Sequence, residues 1–275
     1  MAKSALLKSS LAKKYWMALT GLFLCVFLIG HLVGNLQLIF ADALQFNQYA
    51  LFMTTNPAVK VLSYVTYISI IFHAIDGILL TVQNQKARPI GYAKENPGAN
   101  SPWASRNMAL LGTIILVFIV THMVNFWAKM HFDEKMPLQT MMVEAGGQSA
   151  ESYLTTDGEY IPKMYVDMGQ IVIKNRTDFY LADGNLILKQ GYKDLHKITV
   201  DFFRDSKTGL IATILYVLAM MALGYHLWHG FESAFQSLGM NNPKYNALIR
   251  GFGKLFSVIV PLLFAIIPLY IHFTA

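Results

Sequence analysis

The stretch Trp16–Phe40, WMALTGLFLCVFLIGHLVGNLQLIF, decides the fold. It holds 25 residues and no Asp, Glu, Lys or Arg. As a helix rising 1.5 Å per residue it is roughly 37 Å long, more than the ~30 Å hydrocarbon core of a bilayer. Backbone polar groups cannot go unpaired in lipid, so helix is the expectation. The stretch follows Lys3, Lys8, Lys13 and Lys14, as a signal peptide would, but it is too long for a signal core and lacks a small-residue cleavage site. Four more apolar stretches follow: Val59–Val82, Met108–Trp127, Leu210–Phe235 and Leu255–Phe273. The expected fold is an all-α integral membrane protein, a bundle of five transmembrane helices, numbered one to five here.

Composition agrees. The 275 residues are 55% hydrophobic and 14% charged, where soluble domains carry about 25% charged residues. In so apolar a chain the net charge of +6 belongs to loop lysines and arginines facing the cytoplasm, and nucleic acid is not an expected partner. Cys25 is the single cysteine, so this chain by itself makes no disulfide, no thioether haem attachment and no cysteine-ligated iron–sulfur cluster.

Basic residues set the orientation. The N-terminal tail, the loop with Lys86, Arg88, Lys94 and Arg106, and the loop with Lys244, Arg250 and Lys254 all fall on one side. Residues Ala41–Ala58 on the other side contain no lysine or arginine. The positive-inside rule then puts the N-terminus in the cytoplasm and the C-terminus outside. Three regions result: 1–128 with helices one to three, 129–207 as a long extracytoplasmic insertion, and 208–275 with helices four and five. In the insertion, Gln170–Lys174 and Phe179–Lys189 alternate partly around Ala182-Asp183-Gly184-Asn185, which reads as a small β-hairpin. The sequon Asn175-Arg176-Thr177 is taken as fortuitous.

Histidines carry the functional reading. His31, His73, His122, the pair His226/His229, and His272 lie in apolar helix, where ionisable side chains are costly and usually functional. A lone histidine there is as readily explained by a hydrogen bond to a neighbouring helix. Four in consecutive helices are not, because their depths match. His31 lies 15 residues past Trp16 and His122 lies 14 past Met108, in helices running outward. His73 lies 14 past Val59 and His226 lies 16 past Leu210, in helices running inward. At 1.5 Å per residue each travels roughly 21–24 Å, giving an outer and an inner layer of two histidines each, roughly 10–15 Å apart. Two imidazoles facing across a bundle suit a six-coordinate b-type haem, which carries electrons and has no open position for oxygen. A single zinc or copper site would need the four at one depth. Gly30, Gly34, Gly77, Gly224 and Gly230 near these histidines would let a flat porphyrin approach, or let helices pack closely. Spacing alone does not choose between His226 and His229. His131 and His196, in the insertion, read as solvated, and His272 has no evident partner.

The pattern resembles the cytochrome b subunit of dihaem, single-anchor succinate:quinone oxidoreductases (succinate dehydrogenase and fumarate reductase). The resemblance rests on Leu19-Thr20-Gly21 and Gly30-His31-Leu32-Val33-Gly34-Asn35 in helix one, Ser105-Arg106-Asn107-Met108 and Thr121-His122 around helix three, and His226-Leu227-Trp228-His229-Gly230-Phe231 with Ser233 and Gly239 in helix four. It covers roughly residues 10–130 and 195–275; the long segment 135–192 departs from it. The resemblance implies axial ligands His31 and His122 for an outer haem, and His73 and His226, not His229, for an inner one. It implies partners: a flavoprotein with covalent FAD and an iron–sulfur subunit, where succinate is oxidised in the cytoplasm. Electrons would run through the inner and outer haems to a quinone, menaquinone in bacteria, at the cytoplasmic (inner) membrane. Arg106 would meet a haem propionate or a partner subunit. Candidate quinone contacts are Asn35, Gln37 and Asp42, beyond His31 towards the outer surface. Asp76 and Glu232 are intramembrane carboxylates suited to proton relay or to structure. The competing expectations are a fumarate reductase anchor working in the quinol-oxidising direction and a transporter without haem, for which inverted repeats are the missing sign.

Overall fold

The computed structural model describes residues 9–87, 96–145, 147–184 and 186–274. Lys3, Lys8, Arg88, Lys94 and Asn185, named above, lie outside the described residues. The helices in chain order are α1 (Ser10–Phe40), α2 (Ala43–Thr55), α3 (Pro57–Lys86), the one-turn α4 (Pro97–Asn100) and α5 (Trp103–Arg106), and α6 (Met108–His122). A π-helical segment, Met123–Ala128, and the short α7 (Lys129–Phe132) continue α6. After the strands and the short α8 (Lys163–Asp167) come α9 (Leu195–Arg204), α10 (Gly209–Ser237) and α11 (Pro243–Phe273).

Among the described residues five helices are long and apolar enough to cross a membrane: Leu11–Phe40, Pro57–Lys86, Met108–Phe132, Gly209–Ser237 and Pro243–Phe273. In the most apolar windows of the second and third, only 11% and 6% of residues are buried inside the protein. Val61, Tyr64, Ile68, Val117 and Val120 lie exposed along them. An apolar surface of that extent has its natural solvent in lipid.

The chain forms two compact units: one of Pro57–Val120, Ile211–Tyr270 and the described residues up to Asn35, the other of Leu36–Asn56, Thr121–Leu210 and the described residues from Ile271 on. In the first, the long helices meet through small residues. At Gly224 of α10, a Cβ would stand 3.1 Å from the Ser257 carbonyl oxygen of α11. At Gly253 of α11 it would stand 2.7 Å from the Phe231 ring. Without these glycines α10 and α11 could not lie so close. Leu111 and Ala104 pack on Ala222 of α10, and Ala219 and Met220 pack on Ala265 of α11.

The second unit holds the insertion. It contains two three-stranded antiparallel sheets, β1 (Thr140–Ala145), β2 (Gln148–Leu154) and β3 (Tyr160–Pro162), then β4 (Ile171–Lys174), β5 (Asp178–Leu181) and β6 (Ile187–Gln190). The expected hairpin is present as β5–β6, with Tyr180 opposite Ile187. The rest exceeds the expectation. Asn175 and Arg176, both at positive φ (51° and 69°), turn β4 into β5, with Thr177 N–H donating to the Lys174 carbonyl. The sequon thus occupies a turn of the kind that favours Asn. Phe179, fully buried, centres the core with Leu138 and Ile161.

Polar side chains fasten the insertion to α2 and to the end of α11. Asn47 of α2, 1% exposed, donates to Gln139 Oε1 (3.1 Å) and Asp194 Oδ1 (2.9 Å) and accepts from the His196 N–H (3.0 Å). Asp194 is also the N-cap of α9, accepting from the Lys197 N–H. At the other end of α9, His272 Nδ1 donates to the Phe203 carbonyl (2.7 Å) and Arg204 Nε to the Ile271 carbonyl (3.2 Å). His272 therefore does have a partner: a carbonyl that the end of a helix leaves unsatisfied. His131 and His196 are only partly solvated. Each is half-buried, His131 stacked on Trp127 (4.7 Å) with Nδ1 at its carbonyl, and His196 edge-on to Phe46.

Candidate functional site

Within the first unit α3 and α10 bring His73 and His226 together, their ring centroids 6.1 Å apart and their planes at 66°. Two imidazoles binding one metal from opposite sides, with nitrogen about 2 Å from it and each ring centre about 1.1 Å farther, have centroids roughly 6.2 Å apart. The spacing therefore suits an axial pair.

The His73 ring is held from behind. The Thr20 hydroxyl of α1 donates to the Trp16 carbonyl (2.7 Å). Its lone pairs then accept the Nδ1–H of His73 at 3.2 Å. In that tautomer Nε2 is bare, the nitrogen a metal needs, and the hydroxyl supplies the hydrogen bond that metal-bound histidines commonly have. Gly21, next in sequence, lies against the same ring: a Cβ there would be 3.2 Å from His73 Cε1. Gly112 of α6 faces His226 in the same way, at 3.7 Å from Cε1. Among the described residues His226 Nδ1 is buried with no hydrogen-bond partner. A buried nitrogen without a partner costs about 1–3 kcal/mol, a cost that a group meeting that nitrogen could offset. The spacing and the imidazole donors are those that a haem between His73 and His226 would need.

His31 lies in the first unit, stacked on Phe27 (5.3 Å, 16°) and tilted against Phe264 of α11 (5.7 Å). His122 lies in the second, at the last residue of α6 where the π segment begins, beside Phe126 (5.3 Å). Their pairing is an expectation drawn from depth along the helices in the sequence. π segments recur at functional sites because the extra residue turns the following side chains to a new face.

The remaining candidates divide. Asn35 donates to the His31 carbonyl (2.7 Å), with its Nδ2 3.4 Å from His31 Nδ1. Asp42 is exposed and caps α2, accepting from the Gln45 N–H at 2.8 Å. Both have local hydrogen-bonding roles; Gln37 is half-buried. Gly30 has no side chain within 4 Å of a built Cβ, Gly77 faces Met17, Gly230 faces Met108, and Gly34 is buried. Arg106 is exposed and donates to the Ser101 carbonyl. Asp76 is half-buried on α3, three residues past His73. Glu232 pairs with Arg250 at 2.9 Å. His229 lines a cleft with Trp228, Glu232, Arg250 and Lys254.

Sequence reasoning gave no role to Thr20, Gly21 or Gly112. A hydroxyl inside an apolar run was the available sign for Thr20; an isolated helical glycine was the sign for Gly112. Among the described residues no three His, Cys, Asp or Glu side chains converge as a metal cluster. Comparison of the chain with protein-family models, curated proteins and solved structures finds no match.

Proposed function

We propose that the chain is the dihaem cytochrome b anchor of a succinate:quinone oxidoreductase. It would carry electrons between an iron–sulfur partner on the N-terminal side and a quinone in the membrane. The observation that carries the reading is the His73–His226 pair at 6.1 Å, with Thr20 fixing one ring and an orphan nitrogen on the other. Haem bound there would supply one-electron transfer with no vacant coordination position. The protein's own part is to hold the imidazoles opposed, keep Nε2 of His73 bare and exclude water by apolar helix packing. His31 and His122 make the second pair by depth. Orientation follows the basic loops: N-terminus cytoplasmic, insertion and C-terminus extracytoplasmic. Partners are a flavoprotein carrying FAD, an iron–sulfur subunit and a quinone, menaquinone in a bacterial inner membrane. Asn35, Gln37 and Asp42 remain the proposed quinone contacts.

The test replaces His73 and His226 singly by Ala in the purified complex and follows reductive titration of the b-type absorbance. Both variants are expected to lose the same haem, keep the other, and lose succinate-linked quinone reduction. Retention of both haems in either variant would overturn the assignment. Comparing succinate oxidation by quinone with fumarate reduction by quinol then separates the dehydrogenase from the fumarate reductase reading.

A further inference from the structure

A second site lies on the other face of α10. Trp228 and Glu232 are one helical turn apart and share a stripe; at 100° per residue Trp228 points about 200° away from His226. The stripe meets α11 and the loop before α6 in a cleft lined by Pro102, Trp228, His229, Glu232, Arg250 and Lys254. Two cations, one carboxylate and one indole converge there. Glu232 Oε1 accepts from both Nε (3.0 Å) and Nη2 (2.9 Å) of Arg250, fixing the guanidinium at the rim. Among the described residues its Nη1 has no further partner. Lys254 lies over the Trp228 ring, its ammonium 5.5 Å from the centroid, and forms no ion pair among the described residues.

The cleft sits at a polar–apolar boundary. Lys254 is the last charged residue before the uncharged run Leu255–Ile271, and Glu232 is the first charged residue after the uncharged run Gly209–Phe231. An indole beside a lysine at that level is the arrangement of a membrane–water interface. The same end of the helices carries the basic loops. Basic pockets between helices on the cytoplasmic side recognise phosphate headgroups.

We propose that this cleft binds the headgroup phosphate of an anionic phospholipid, with Lys254 and the outer edge of Arg250 on the phosphate and Trp228 against the glycerol and upper acyl chain. The proposal is independent of the cytochrome reading, because Trp228 and Glu232 point away from His226. The shared chemistry is a phosphate anion, so the test must separate lipid from free phosphate.

The intact protein, purified with its own partners, is reconstituted in nanodiscs of phosphatidylcholine doped with phosphatidylglycerol, and retained lipid is counted by mass spectrometry after transfer to mild detergent. Wild type is expected to retain phosphatidylglycerol over phosphatidylcholine, and Lys254→Gln to weaken retention about five-fold, the effect of one surface cation. Lys244→Gln, outside the cleft, should leave it unchanged. If Lys254→Gln does not fold, Trp228→Ala is read in its place and should also lower retention. Equal retention in wild type and the cleft variant overturns the proposal. So does displacement of the lipid by millimolar inorganic phosphate, which would make the cleft a free-anion site. The b-type absorbance, followed in parallel, should not change; its loss in Lys254→Gln would assign the cation to the haem and also overturn the proposal.

Discussion

Thr20→Val removes one hydroxyl and little volume at the point where α1 meets His73. The Thr20 hydroxyl is 8% exposed as a residue and has two tasks, donating to Trp16 and accepting from His73 Nδ1 at 3.2 Å. The first is a local helix bond and its loss changes little. The second holds the ring and, by drawing on the Nδ1 proton, makes Nε2 a stronger donor to iron. A neutral hydrogen bond of this kind is worth about 0.5–1.5 kcal/mol. The ferric state gains more from a basic ligand than the ferrous state. Losing the bond should therefore raise the inner haem's potential, by at most about 40 mV if 1 kcal/mol falls wholly on one state. Ring disorder should also weaken retention of that haem, within the 10–100-fold seen for outer-shell changes. The assay is a potentiometric titration of the two b-type haems in the purified complex. Thr20→Ser, which keeps the hydroxyl, should restore the wild-type curve. An unshifted inner haem fully retained in Thr20→Val would refute the reasoning.

Three other changes probe the fold. Asn47→Ala removes three buried hydrogen bonds and should destabilise the insertion by about 2–4 kcal/mol, read as faster limited proteolysis between Lys129 and Lys207; wild-type resistance would show the network to be dispensable. Gly209→Ala places a Cβ 2.3 Å from the Phe203 carbonyl oxygen, so the turn between α9 and α10 must shift; thermal unfolding should show a loss of about 3 kcal/mol or more, and an unchanged melt would contradict the close approach. Lys189, paired with Asp157 and Glu159, holds the Asp157 carboxyl down at about 2. Because that value lies below the usual ~3.9 of an unfolded Asp, the pair contributes fully above pH 4 and its contribution fades as pH falls from there towards 2. Asp157→Asn should flatten this acid dependence of the melting temperature, and an identical acid profile in the variant would count against the pair.

The apolar stretches were legible because length and lack of charge suffice to mark a spanning helix, but their ends were not. The fifth was read from Leu255, whereas α11 starts at Pro243. Its first twelve residues mix Lys244, Arg250 and Lys254 with apolar residues and two glycines, which lowers the hydropathy there, while Pro243 at the first helical position is a helix-start sign. Likewise α2 lay unseen in 41–58, although Asp42 followed by Gln45 is a helix-start signature. In the insertion Asp183-Gly184 marks one hairpin, and Gly146-Gly147 and Asp157-Gly158 carry the same signal in the sequence. Depth placed His73 in one layer with the His226/His229 pair, and the resemblance chose His226. Thr20 and Gly112 could not be tied to it, because which face of a nearly uniform apolar helix meets a neighbour is set by packing. The π segment after His122 has no mark in the sequence.

The most direct measurement is a pyridine haemochrome assay giving protohaem per chain in the purified protein or its complex. Two per chain is the expected result, one for His73 with His226 and one for His31 with His122. No haem in a well-folded preparation would contradict the central claim, and the 6.1 Å imidazole pair would then be a packing contact between helices.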